Sequence, residues 1–183
     1  MPEPALHSSP SPHPRLQALL GHEFFAPHQW RRRLALWIGA IVVALAAILF
    51  AKASDWSFHL FKLMLGYGAW LPLLATPAVF GALAWVTEGK LRATRGSGIP
   101  QVIGTLHIED ESFRMRMLSL PIAAGKMVLT LIALAVGASI GREGPTVHVG
   151  AGLFYSLGRR GGFTDPKAAS RFILAGGACG IAA

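Results

Sequence analysis

The chain has little charge. Only 14% of its 183 residues are Asp, Glu, Lys or Arg, and the acidic ones number 9 against 17 basic. With 52% hydrophobic residues and a net charge of +8, this balance argues against a soluble nucleic-acid module, which gathers Lys and Arg on one solvated face and stays hydrophilic between them. Cysteine is nearly absent. The single Cys179 excludes an internal disulfide framework and a multi-cysteine zinc site, and its setting among glycines and alanines predicts a small buried residue. No P-loop, GxGxxG, HExxH or Ser-His-Asp pattern occurs, so no enzyme, metal or cofactor is expected. His148 lies five positions after Glu143, off its helical face, which disfavours an acid-base pair.

What is plentiful is glycine, proline and long uncharged stretches. Gly at 21 and Pro at 12 suit membrane helices, where both are commoner than in soluble ones. Residues 1–29, with Pro2, Pro4, Pro10, Pro12 and Pro14 among serines, read as a cytoplasmic tail, disordered or lying on the membrane surface, and lack the apolar core of a secretory signal. Residues 30–183 read as the membrane portion. Leu34 to Ala51 is uncharged, close to the length that spans a bilayer, and helix is expected to continue to about Leu65. Arg31-Arg32-Arg33 before it place the N-terminus in the cytoplasm. Leu63 to Thr87 is a second uncharged run, with Trp70 and Trp85 as interfacial anchors. Glu88, Lys90, Arg92 and Arg95 then form a basic turn back on the starting side.

Two interruptions stand out. Gly96-Ser97-Gly98-Ile99-Pro100 precedes an apolar piece, Gln101 to Leu106, that is far too short to cross a membrane. It suggests a re-entrant helix whose N-terminus aims backbone N–H groups at an anion; taken alone, an ordinary turn with a serine N-cap is the better account. Gly141-Arg142-Glu143-Gly144-Pro145 breaks the apolar run from Met127 to Gly158, and a charged pair at membrane depth costs several kcal/mol unless it faces a gap between half-helices. Lys126, alone in the apolar segment Met117 to Ile140, also needs a partner, and Glu143 is the candidate. Two helix N-termini, each carrying roughly half a positive charge, aimed at one spot make a site for a small anion. This is the logic of discontinuous helices in transporters. Ser97 can donate a hydroxyl, and Glu143 can occupy the site as a tethered anion until protonated. Beyond Gly158-Arg159-Arg160, Gly176 and Gly180 are spaced for close helix packing.

These motifs resemble those of the CLC family of chloride channels and chloride/proton antiporters, in the N-terminal half of its membrane domain. The resemblance runs from about Arg31 onward and is carried by both motifs and the spacing of Lys126 before the second. It implies an all-α membrane fold of tilted transmembrane and re-entrant broken helices, the first part of an inverted repeat. It implies Ser97, Gly98, Ile99, Arg142 and Gly144 as anion-binding, Glu143 as the gating and proton-accepting carboxylate, and Gly96, Pro100, Gly141 and Pro145 as motif structure. The expected partners are the bilayer, chloride and a second copy in a homodimer, with no nucleic acid, and the expected location is the inner membrane of a bacterium. The family needs about twice this membrane length, including a third filter motif, so the chain is expected to be a fragment of a transporter. The alternative is a non-transporting membrane remnant, inert or acting only through another chain.

Overall fold

Seven α-helices follow one another in a computed structural model that describes residues 27–89, 91–108, 110–163 and 165–182. They are α1 (Pro27–Tyr67), α2 (Trp70–Glu88), α3 (Ile99–His107), α4 (Glu111–Met117), α5 (Leu120–Ala135), α6 (Glu143–Arg160) and α7 (Pro166–Ala182), with a 3-10 turn at Arg92–Thr94. No strand occurs among the described residues. The all-α membrane reading holds: three segments, Arg33–Tyr67, Trp70–Glu88 and Glu111–Ala135, are long and apolar enough to span a bilayer. The tail expected over 1–29 lies outside the described residues up to Pro27.

The chain divides into two compact units, Met1–Leu34 and Ala35–Ala183. Of the first, the described part is the opening of α1, where the Arg33 guanidinium stands 5.8 Å from the centroid of the Trp30 ring. The sequence places the start of this helix after the arginines, but it begins at Pro27, because proline needs no N–H in a first turn and the arginines are good helix formers. At 41 residues α1 is about 60 Å long, twice the hydrocarbon thickness, which calls for a strong tilt or an end outside the bilayer. It ends at Gly68, whose φ of +145° L-residues avoid, so the second apolar run splits there and α2 starts at Trp70. Trp70 and Trp85 stand exposed near the two ends of α2.

In the second unit, α6 is the hub. Its residues Gly144, Pro145, Val147, His148, Val149, Gly150, Ala151 and Gly152 are consecutively buried apart from Thr146. Most helices bury one stripe; α6 is covered on several sides because α3, α5 and α7 all pack on it. Val102 of α3, Leu118, and Ala169 and Ile173 of α7 close around Val147, Ala151 and Tyr155. A second cluster joins Val43 of α1 to Phe154, Phe163 and Phe172. Gly176 and Gly180 do serve close packing: a Cβ on Gly180 would lie 2.5 Å from the Thr146 carbonyl oxygen, and one on Gly176 would collide with that of Gly150. Helix α7 starts at Pro166, several residues before the expected Phe172. Cys179 is only partly buried, against the second cluster.

Arg114 locks this unit from beneath. It is 3% exposed, and its guanidinium donates to the carbonyl oxygens of Thr105 (2.8 Å), Ile108 (3.2 Å) and Pro166 (3.4 Å) and to Ser170 Oγ (3.1 Å). These bonds satisfy carbonyls at the α3 C-terminus and at the first residue of α7. Arg114→Met should therefore lower unfolding stability by roughly 2–4 kcal/mol, since buried acceptors lose charged donors. Thermal melts followed by circular dichroism will read this, with Arg114→Lys intermediate.

Candidate anion site at two helix N-termini

The chain brings the two motifs together main chain to main chain. At Gly98, φ is +106°, and a Cβ there would lie 2.6 Å from the Gly144 carbonyl oxygen and 3.0 Å from His148 Cβ. At Gly144 a Cβ would overlap the Ser97 carbonyl oxygen and stand 2.9 Å from its carbon. Only two glycines permit this approach, because both contacts are to backbone, which cannot swing aside. Ser97-Gly98 and Gly144 are separated by more than forty residues in sequence yet share one van der Waals surface.

Both helices begin at this contact. Helix α3 opens at Ile99 after Gly98, and α6 opens at Glu143 after Arg142. Neither start has a side-chain cap, so the orphan N–H groups of each first turn are not consumed by a serine, threonine or carboxylate. Prolines stand within both first turns, Pro100 and Pro145, and reduce the number of donors without breaking either helix. What remains are main-chain donors of Ile99, Gln101, Glu143 and Gly144 at the positive ends of two helices. Thr146 ties the α6 start down, donating its hydroxyl to the carbonyl oxygens of Glu143 (2.8 Å) and Arg142 (3.1 Å).

The side chains divide into those at this spot and those engaged elsewhere. Ser97 and Glu143 are both exposed, and among the described residues neither side chain has a hydrogen-bond or ion-pair partner. Arg142 is committed to α1: its guanidinium donates to Asp55 Oδ1 at 2.7 Å and to the Ala51 carbonyl at 3.4 Å. Lys126, 3% exposed, is not joined to Glu143; its ammonium donates instead to Gln101 Oε1 at 3.4 Å. His148, 0% exposed, turns away from Glu143 and donates from Nε2 to the Met117 carbonyl at 2.7 Å, while its Nδ1 has no partner. Gly141 meets nothing within 4 Å, and Ile99 and Pro100 lie on the exposed side of α3. No group of three or more His, Cys, Asp or Glu that could hold a metal occurs among the described residues.

Two participants escape a reading of the motifs alone. Asp55, partner of Arg142, is the sole acidic residue between Glu23 and Glu88, and such a lone acid in an apolar helix signals a basic partner. Gln101 follows the first motif directly and bridges Lys126 to the loop. The signal there was weaker, since an amide at a helix start has many roles.

The chain thus joins apolar spans to two uncapped helix starts that meet backbone to backbone. At the family level, residues 78–183 match the voltage gated chloride channel family. No curated protein and no solved structure matches. The matched span covers more than half of the chain and includes both glycine motifs and Lys126, and the protein belongs to the voltage gated chloride channel (CLC) family.

Proposed function

We propose that the chain contributes part of a chloride-conducting pathway, as channel or chloride/proton antiporter, with the anion held where α3 and α6 begin. The supporting observation is the backbone contact of Ser97-Gly98 with Gly144, which sets two uncapped helix N-termini side by side. A chloride there would accept hydrogen bonds from main-chain N–H groups and from the Ser97 hydroxyl. Partial charges attract the ion without the full charge that would trap it.

Glu143 acts as the gate. It is the first residue of α6, so its carboxylate stands at the same helix end that would hold chloride. The two anions compete for the same donors. Protonation removes that competition and opens the site, which links anion passage to a proton. Arg142, held by Asp55, serves the approach to the site through its charge. The cleft beside it, about 500 Å³ and lined by Ser54, Phe58, Phe61, Ser139 and Arg142, is the entry.

Exposed Ser97 and Glu143 at membrane depth cannot face lipid at tolerable cost. The site is therefore completed by further protein, from additional helices of a CLC membrane domain, and the working unit is a homodimer. The N-terminus is cytoplasmic and the membrane a bacterial inner membrane.

Ser97→Ala tests the assignment. Chloride binding measured by titration calorimetry should weaken by about 3- to 30-fold, the loss of one hydroxyl donor to an anion, with thermal stability unchanged because the side chain is exposed. Unchanged chloride affinity would remove Ser97 from the site. Chloride efflux from proteoliposomes, with the chain alone and with the completing helices, separates transport from a remnant that works only through another chain.

A further inference from the structure

We propose that the cleft between the α4–α5 corner and the last turns of α6 seats the phosphate of an anionic phospholipid, with an acyl chain lying along α5. This site is separate from the contact of the two glycine motifs and does not depend on the reading of Ser97 or Glu143.

The cleft measures about 450 Å³, with Met115 and Pro121 on one side and Tyr155, Ser156, Arg159 and Arg160 of α6 on the other. Its lining holds two guanidiniums and no carboxylate. Arg159 is partly engaged: its Nε stands 3.6 Å from Glu111 Oε1, and its Nη1 lies against Met115 Sδ. Arg160 and Ser156 have no hydrogen-bond or ion-pair partner among the described residues. Tyr155 is the telling member. It is 5% exposed, yet its hydroxyl also lacks a hydrogen-bond partner among those residues. Only His148 Nδ1 is both partnerless and sealed from solvent, so the Tyr155 hydroxyl opens to a cleft. Tyr155 and Arg159 also line a neighbouring cleft of about 130 Å³, so the two share one wall. Guanidinium forks and hydroxyl donors are the groups that recognise phosphate oxygens.

Depth and shape select a lipid over a free anion. The cleft stands at the start of the apolar span Glu111–Ala135. Helix α6 is about 27 Å long and carries Arg159 and Arg160 in its last turn, at the end away from the motif contact. Basic side chains at the end of a span lie at headgroup level, where they attract anionic lipid. An apolar track leaves the same place. Pro121, Ala124, Val128 and Ile132 are all exposed and follow one another at helical spacing, so they form a single stripe running about 16 Å along α5 from the cleft. A free phosphate would use the guanidiniums and leave this stripe bare; a phospholipid uses both.

The test titrates the intact chain, purified in neutral detergent, with phosphatidylglycerol, phosphatidylcholine or inorganic phosphate. Melting is followed by circular dichroism and retained lipid by native mass spectrometry. Phosphatidylglycerol should raise the melting temperature, as any ligand of the folded state does, and stay bound in the mass spectrum; phosphatidylcholine should do neither. Arg160→Gln should weaken phosphatidylglycerol binding about 5-fold, the scale of one basic side chain at anionic lipid. Tyr155→Phe should weaken it by about tenfold, the loss of one hydroxyl donor to a charged acceptor. Both variants should fold, since Arg160 is exposed without a partner and phenylalanine keeps the Tyr155 ring. Arg171→Gln, on the exposed side of α7 and outside the cleft, should leave affinity unchanged. Absence of phosphatidylglycerol binding overturns the proposal. So does binding that neither cleft variant weakens, which puts the lipid elsewhere, or an equal loss in Arg171→Gln, which reduces the effect to net charge. Inorganic phosphate saturating at the same concentration as the lipid overturns the acyl track and leaves a free-anion site.

Discussion

Glu143→Gln should make anion flux constant across the acid-to-neutral range and abolish the accompanying proton movement. Glutamine has the shape of a protonated glutamate but neither ionises nor delivers a proton. The sign follows from competition at the helix end. As pH falls the native carboxylate is protonated, leaves the donors to chloride, and flux rises; as pH rises it returns as an anion and flux falls. The variant is fixed in the neutral form, so its flux at high pH should match the native flux at low pH. Proton uptake driven by a chloride gradient should drop by at least tenfold, the order expected when the only proton-carrying group of a step is removed. Chloride and pH electrodes on the same vesicles read both quantities. Folding should be little affected, within about 0.5 kcal/mol, since Glu143 is exposed and no described residue pairs with it. Undiminished pH-dependent coupling in the variant would sink the gate.

Gly144→Ala should be among the most damaging single methyls at the described glycines. Its Cβ would overlap the Ser97 carbonyl oxygen, with Ser97 Cβ at 3.2 Å behind it. Overpacking of this kind costs typically 1–3 kcal/mol even where side chains can yield; here backbone must move. The expected result is a fall in melting temperature together with loss of measurable chloride binding, because relief of the clash drives the two helix ends apart. Gly98→Ala should act similarly, with the added cost of about 1–2 kcal/mol for a left-handed L-residue. Combining the two should be clearly less than additive, since both relieve one contact. Gly141→Ala is the control. It stands in the same motif with nothing within 4 Å and should be tolerated. Equal damage from all three would mean that the motif glycines serve flexibility rather than close approach.

Much of this could be read in the sequence because bilayer chemistry is demanding. Apolar runs ending in Trp70, Trp85 and the Arg31-to-Arg33 cluster give helices and their ends with few alternatives, and glycine beside proline marks breaks that lipid would not tolerate. Gly96-to-Pro100 and Gly141-to-Pro145 were visible as motifs for the same reason. Their contact was not, because nothing in either stretch states that Gly144 lies on the Ser97 carbonyl. Long-range pairing escaped for a related reason: Arg142 stands next to Glu143 in sequence but bonds Asp55, 87 positions away. Neighbours in sequence project from a helix about 100° apart and seldom pair. Lys126 found an amide rather than a carboxylate, a choice set by which side chain the fold brings to it and not by charge count. Helix boundaries slipped where polar residues line a helical face, as Lys167 and Arg171 do at the start of α7.

The meeting of Gly98 and Gly144 has a consequence for how such a protein can diversify. Because main chain touches main chain there, no rotamer lies between the two helix ends to act as an adjustable shim. The gap is a fixed gauge, set by atoms that every amino acid shares. Substitution can change what borders that contact, as at the hydroxyl of Ser97, but not the spacing itself. On the proposed reading, variation in ion preference is confined to the chemistry around a constant spacing of two helix ends.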